Sequence, residues 1–158
     1  MYLNFMYATL LILHSLWRWA VVISLLTTIV MAYRGRSGKV PFTPAANNWR
    51  HWTATILHLQ MLLGMALYVQ SPVLTVHMAS HPGKLLSEPV FFRYLHLGMM
   101  LLATVLVTIG SAKAKRMQGD EAKYQTMLTW FSLGLAVIII AIPWPFSPLS
   151  GRPLYRTF

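Results

Sequence analysis

"NFMYATLLILHSLWRWAVVISLLTTIVMAYRGR", residues 4–36, is the stretch whose reading decides the fold. From residue 4 to 33 it contains no acid and only one Lys or Arg, Arg18, before it closes on Arg34-Gly35-Arg36. A helix of about 20 apolar residues crosses the hydrocarbon core of a bilayer, so this run is long enough to span one and to stop at its basic end. His14 and Arg18 interrupt it. Four residues apart, they share one face of a helix. An ionisable side chain at that depth costs on the order of 3 kcal/mol, so two on one stripe call for a function.

Three further apolar segments follow, over 48–70, 90–112 and 124–142, and with 4–33 they make four spanning helices. Ser71-Pro72 closes the second, Pro89 precedes the third, and Pro143-Trp144-Pro145 ends the fourth. Proline stops helices because it lacks an N–H and clashes with the preceding turn. The expectation is an all-α, integral membrane four-helix bundle over residues 1–146, with an irregular external tail over 147–158. Short connections between helices 1 and 2 and between 3 and 4 favour up-down-up-down order, which makes helices 1 and 3 diagonal partners.

Composition agrees. The chain of 158 residues is 56% hydrophobic and 10% charged, with 13 Lys and Arg against 3 Asp and Glu for a net charge of +10. The cations cluster between apolar runs rather than on a polar surface, which excludes nucleic acid as a partner and points to membrane lipid. Arg34, Arg36, Lys39 and Arg50 lie around the first connection, and Lys113, Lys115, Arg116 and Lys123 around the third. By the positive-inside rule these face the cytoplasm, and both termini are on the outer side. Trp49, Trp52, Tyr124 and Trp130 would form the inner aromatic belt, and Tyr2, Tyr7, Phe91, Phe92, Tyr94 and Trp144 the outer one. No cleavable signal peptide is expected, since a basic leading region is missing and the first apolar run is too long.

With no cysteine in the chain, disulfides, iron–sulfur clusters and covalently attached haem are excluded. No Asp or Glu falls inside the four apolar segments, which argues against a carboxylate proton relay, an acidic ion-coupled transport site or a hydrolytic triad. The chemistry left is that of histidine.

His14, His58 and His96 lie within helices 1, 2 and 3. At a rise of about 1.5 Å per residue, His14 is roughly 15 Å, His96 roughly 10 Å and His58 roughly 18 Å from the outer ends of their helices. His14 and His96 therefore match to within about a turn and come from diagonal helices. Two imidazoles facing each other across a bundle at similar depth can supply the two axial ligands of an electron-carrying b-type haem. The long first helix must tilt or protrude, which shifts the depth of His14 and keeps His58 as the alternative ligand.

Gly64, Gly98 and Gly110 would admit a flat ring, and Met61, Met65, Met99 and Met100 offer polarisable packing. Arg93, three residues before His96, would pair with haem propionates from the same face. Arg18 would either meet a propionate or neighbour His58. His58, Gln60 and Arg18 form a second polar cluster able to tune the haem or bind a quinone head group. In the bland reading the histidines are interhelical hydrogen-bonding groups and the Gly and Met positions are ordinary packing. His77 and His81 in "HMASH" are spaced for a metal but read best as loop histidines, and His51 as an interfacial one.

The stretches "LHSLWRW", "LHLQMLLGMALYVQSP", "HLGMMLLATVLVTIGSAKAKR" and "IPWPF…GRP" resemble a group of small bacterial four-helix membrane proteins catalogued as cytochrome b-like. The resemblance covers nearly the whole chain. It implies one haem b, electron transfer, and His14, His58 and His96 as the candidate ligands, without saying which two. The expected function is a multi-pass cytochrome of the bacterial inner membrane. It would pass electrons between a quinol pool or partner enzyme and an acceptor, alongside other membrane redox subunits of a respiratory chain. Two alternatives stand beside it: a non-catalytic accessory subunit of a respiratory or photosynthetic complex, and a non-haem metal site built from all three histidines.

Overall fold

The computed structural model describes residues 2–71 and 90–145, and every regular element among them is helical. Helix α1 spans Tyr2–Ser37 and α2 spans Pro44–Gln70. Helix α3 covers Phe91–Arg116 and α4 covers Asp120–Ala141. All four are long and apolar enough to cross a membrane.

Each helix overruns its apolar segment at the basic end. Arg34 and Arg36 occupy the last turn of α1, and Lys113, Lys115 and Arg116 the last turn of α3. Cations are favoured there by the carbonyl end of the helix dipole. Asp120 and Glu121, expected in a connection, instead form the first turn of α4, where the amide end favours acids. Helix α2 starts four residues earlier than its apolar run, at Pro44, because Thr43 caps it: its hydroxyl accepts from the Ala46 amide at 3.2 Å. Apolar patterning marks the membrane, while capping and charge set the helix ends. The tight connection into α4 turns at Gly119, whose φ of 83° is open to glycine at little cost.

Helices next to each other in sequence are neighbours in space, and α4 closes the ring against α1, leaving α1 and α3 diagonal. The contacts between α2 and α3 are the sparsest in the ring. Helix α4 supplies much of the core: Phe131, Leu135 and Ile138 pack with Val21 and Leu25 of α1 and with Ala103 and Val107 of α3.

At the basic end the packing is close. Tyr124, expected in the aromatic belt, is only 3% exposed; it lies against Gly35, where a Cβ would collide with its ring, and its hydroxyl donates to Pro41 O at 3.1 Å. Trp130 likewise lies over Gly110. Phe91, at the other end, is buried as well, whereas Trp49, Trp52 and Tyr94 are exposed as belt residues should be.

Candidate functional site

At the end away from the basic residues, α1, α2 and α3 enclose a cavity of about 290 Å³. Helix α4 supplies no residue to its lining, and only Pro143, just past the end of α4, reaches it; the side chains of α4 pack in the core with those of α1 and α3. The walls are mostly apolar, with Leu11, Leu57, Leu67, Leu97, Met61 and Met100 among them. His14, Arg18, Gln60 and His96 supply polar groups.

The structure brings His14 and His96 together there, with ring centroids 6.4 Å apart and planes inclined at 70°. Two imidazoles on opposite sides of one metal, with nitrogens about 2 Å away and ring centres about 1.1 Å beyond, have centroids about 6.3 Å apart. Direct edge-to-face contact between rings falls in the same range, so the distance admits a metal without requiring one. The hydrogen bonds discriminate better. His96 Nδ1 lies 2.8 Å from the Ala141 carbonyl, to which it donates, so the ring is oriented by α4 and its Nε2 lone pair is left open. His14 Nδ1 is buried and has no hydrogen-bond partner among the described residues. Gln60 Nε2 donates to the His14 main-chain oxygen at 3.0 Å and lies 3.4 Å from His14 Nε2. Gln60 Oε1 is buried without a described partner too. Buried polar atoms of this kind are normally satisfied, and each one left over asks for a ligand or a water.

Local sequence explains why these side chains converge. Gly64 faces His14: a Cβ there would stand 3.3 Å from His14 Cε1, so the glycine lets the ring sit against α2. His96 ends a π-helical turn, Phe91–His96, that opens α3. Such a turn holds one more residue per hydrogen-bonded loop than an α-turn, and it re-aims the residues that follow. Phe91 and Phe92 flank the His96 ring at 6.0 and 5.7 Å between centroids.

The same turn separates Arg93 from His96. A regular helix would put both on one face; here Arg93 does not line the cavity and its guanidinium lies 5.7 Å from the centre of the Tyr94 ring. Arg18 does line the cavity, with its guanidinium also 5.4 Å from the Trp19 ring centre. The second polar cluster is divided. Gln60 and Arg18 face His14, whereas His58 points out between α2 and α3, its Nε2 2.8 Å from Thr108 Oγ1. Residues two apart on a helix point to nearly opposite sides, so His58 and Gln60 were bound to part. Among the described residues no group of three His, Cys, Asp or Glu is close enough to hold a metal, so the three-histidine site is not assembled.

Of the expected slot residues, Gly64, Met61 and Met100 line the cavity. Gly98 meets nothing within 4 Å, and Gly110 serves packing against Trp130. Met65 is exposed, and Met99 does not line the cavity. His51 lies beside Trp52 at the basic end, with the two rings tilted by 60°. His77, His81 and the tail 147–158 lie outside the described residues.

Arg50, read from sequence as one cation of a basic connection, is only 5% exposed. Its Nη1 donates to the Ser111 carbonyl at 3.0 Å, and its Nε and Nη2 donate to Asn47 Oδ1 at 3.1 and 3.0 Å. The three-residue spacing of Asn47 and Arg50 was the available signal, since such pairs meet on a helix. Tyr7, Ser15 and Tyr68 also line the cavity and carry hydroxyls, residue types whose spacing in the sequence marks no site.

No protein-family model, curated protein or solved structure matches the chain.

Proposed function

We propose that the protein is a membrane electron-transfer protein that holds one b-type haem in the cavity between α1, α2 and α3, with His14 and His96 as axial ligands. The observation that carries this reading is the convergence of two imidazoles from diagonal helices, one ring fixed by the Ala141 carbonyl and the other with a buried nitrogen that has no partner among the described residues.

The residues present fit the group. A cavity of about 290 Å³ falls just below the range of roughly 300 to 1,000 Å³ for ligand pockets, so a haem would have to widen it. It borders α2 and α3, the neighbouring helices with the sparsest contact, which is where the ring would open for a planar ligand. Met61, Met100, Leu57 and Leu97 would pack the macrocycle, and Arg18 would offer a counter-charge to a carboxylate. Gly64 keeps α2 clear of the His14 ring. Bound by two imidazoles, haem b supplies a one-electron carrier with no open coordination position. The chain's own part is to orient His96 through Ala141, to hold His14 beside Gln60, and to surround both with apolar side chains.

The positive-inside rule supports both termini outside, which sets the cavity toward the outer leaflet. The resemblance carried by "LHSLWRW" and its companion stretches supports a bacterial inner membrane and partner redox subunits. The test is a dithionite-reduced minus oxidised spectrum of protein purified from haem-replete membranes. A b-type α band is expected, lost in His14→Ala and in His96→Ala and retained in His58→Ala. Absence of the band from the wild-type protein overturns the reading; loss with His58→Ala but not with His14→Ala overturns the ligand pair.

A further inference from the structure

His58 is an ionisable side chain near the middle of the 27-residue helix α2, and it is exposed on the outside of the bundle. In a bilayer that surface meets hydrocarbon, where an unsatisfied polar atom costs several kcal/mol. The hydrogen bonds around it have a direction. Thr108 Oγ1 donates its proton to the Thr104 carbonyl at 2.6 Å. The same oxygen therefore receives the second bond, and at 2.8 Å the His58 Nε2–H is the donor. A neutral imidazole has only one N–H. With that hydrogen spent on Thr108, His58 Nδ1 is a bare acceptor, and no described residue donates to it.

We infer that this acceptor receives a hydroxyl proton donor dissolved in the membrane, and that the occupant is the head group of an isoprenoid hydroquinone seated on the α2–α3 face. The depth of His58 selects this chemistry. Phospholipid head groups stay at the interface, whereas a hydroquinone carries its O–H groups into the hydrocarbon on an apolar tail. The surroundings suit such a molecule: Leu59, Leu62, Leu101, Val105 and Ile109 are exposed on the same two helices. The polarity of the site also selects a redox state. A hydroquinone hydroxyl can donate to Nδ1, and the carbonyl of the oxidised quinone cannot. The site touches the cavity wall, because Thr104, whose carbonyl accepts from Thr108, is one of the residues that line the cavity. The inference concerns binding alone and holds whatever fills the cavity.

The experiment uses the full chain in quinone-free lipid nanodiscs titrated with decylubiquinol, decylubiquinone and the O,O-dimethyl ether of decylubiquinol. Binding is read by histidine ¹⁵N NMR and by ligand-observed NMR. The wild-type protein is expected to bind the quinol about tenfold more tightly than the ether or the quinone, the worth of one hydrogen bond in apolar surroundings, with the His58 Nδ1 resonance moving on addition. His58→Phe, which keeps an aromatic ring facing lipid, removes the preference. Leu133→Phe, on the exposed side of α4, leaves it intact. Thr108→Val releases the Nε2–H and raises quinone binding, a response that a merely structural histidine would not give. Equal binding of quinol and ether, an unchanged preference in His58→Phe, or disulfide capture of a second copy by His58→Cys in the native membrane overturns the inference.

Discussion

The two ends of this bundle use polar side chains in opposite ways. At the basic end Arg50 is tied to Asn47 and Ser111, Thr28 Oγ1 lies 2.7 Å from Thr53 Oγ1, and Thr53 donates to the Ser24 carbonyl at 3.3 Å. Glycines 35 and 110 let Tyr124 and Trp130 close against neighbouring helices. At the far end the helices stand around a cavity, and buried atoms, His14 Nδ1, Gln60 Oε1 and Gln70 Oε1 among them, have no hydrogen-bond partner among the described residues. Polar groups at the first end fasten helices together; those at the second are arranged around space. Between helices in lipid there is no hydrophobic drive to association, so close packing and interhelical hydrogen bonds must supply the cohesion. The far end keeps some of both, in the bonds of Gln60 to His14 and of His96 to Ala141, yet these ties stand around a cavity with buried polar atoms left over.

Substitutions break the comparison in a defined order. The largest effect belongs to the cavity: His14→Ala or His96→Ala is expected to abolish haem retention, seen as loss of the reduced-minus-oxidised α band, while the apoprotein stays folded in detergent. Loss of folding in these variants would make the far end a fastener as well. At the basic end the pattern reverses. Gly110→Leu forces side-chain atoms into Trp130 and is expected to cost about 3 kcal/mol of stability, measured by denaturation in detergent, because overpacking between backbones cannot be relieved by one side chain.

Arg50→Met removes four hydrogen bonds, two to Asn47 and two to Ser111, and leaves both residues without their donor; about 2 kcal/mol of destabilisation is expected, with the haem spectrum retained. Gly64→Ala is a smaller perturbation at the cavity. Its methyl presses on His14 at 3.3 Å, so the haem midpoint potential is expected to shift while the band persists. Thr28→Val is the least, about 0.6 kcal/mol, since Thr53 keeps its bond to Ser24.

The ion pair between Arg36 and Glu121 contributes little to the basic end. Arg36 Nε and Glu121 Oε1 are 4.0 Å apart and both side chains are largely exposed. Surface pairs of this kind are worth about 0 to 1 kcal/mol. The acid's greater role is its place in the first turn of α4.

Read in one dimension, the residues determine a great deal here. Four apolar runs separated by clustered cations compel four spanning helices, because hydrocarbon tolerates no unpaired backbone and helices satisfy it locally. The ring order and the diagonal pairing of α1 with α3 follow from short connections. The nearness of His14 and His96 was legible from helix rise alone, since both sit at similar distances from the same end.

What remained was decided in three dimensions. The π-helical turn that parts Arg93 from His96 depends on main-chain hydrogen bonding that side-chain spacing does not report. The sorting of Arg18 and Gln60 toward His14, and of His58 toward Thr108, depends on how each helix is rotated about its axis. Apolar residues surround these helices on every side because lipid and core are equally greasy, so no hydrophobic stripe announces that rotation. The burial of Arg50 and Tyr124 had the same cause: a cation or a tyrosine at a membrane border reads alike whether it faces water or a neighbouring helix. Rotation was set by small residues meeting large ones, Gly35 with Tyr124, Gly110 with Trp130 and Gly64 with His14, and those pairings exist only once the helices have met.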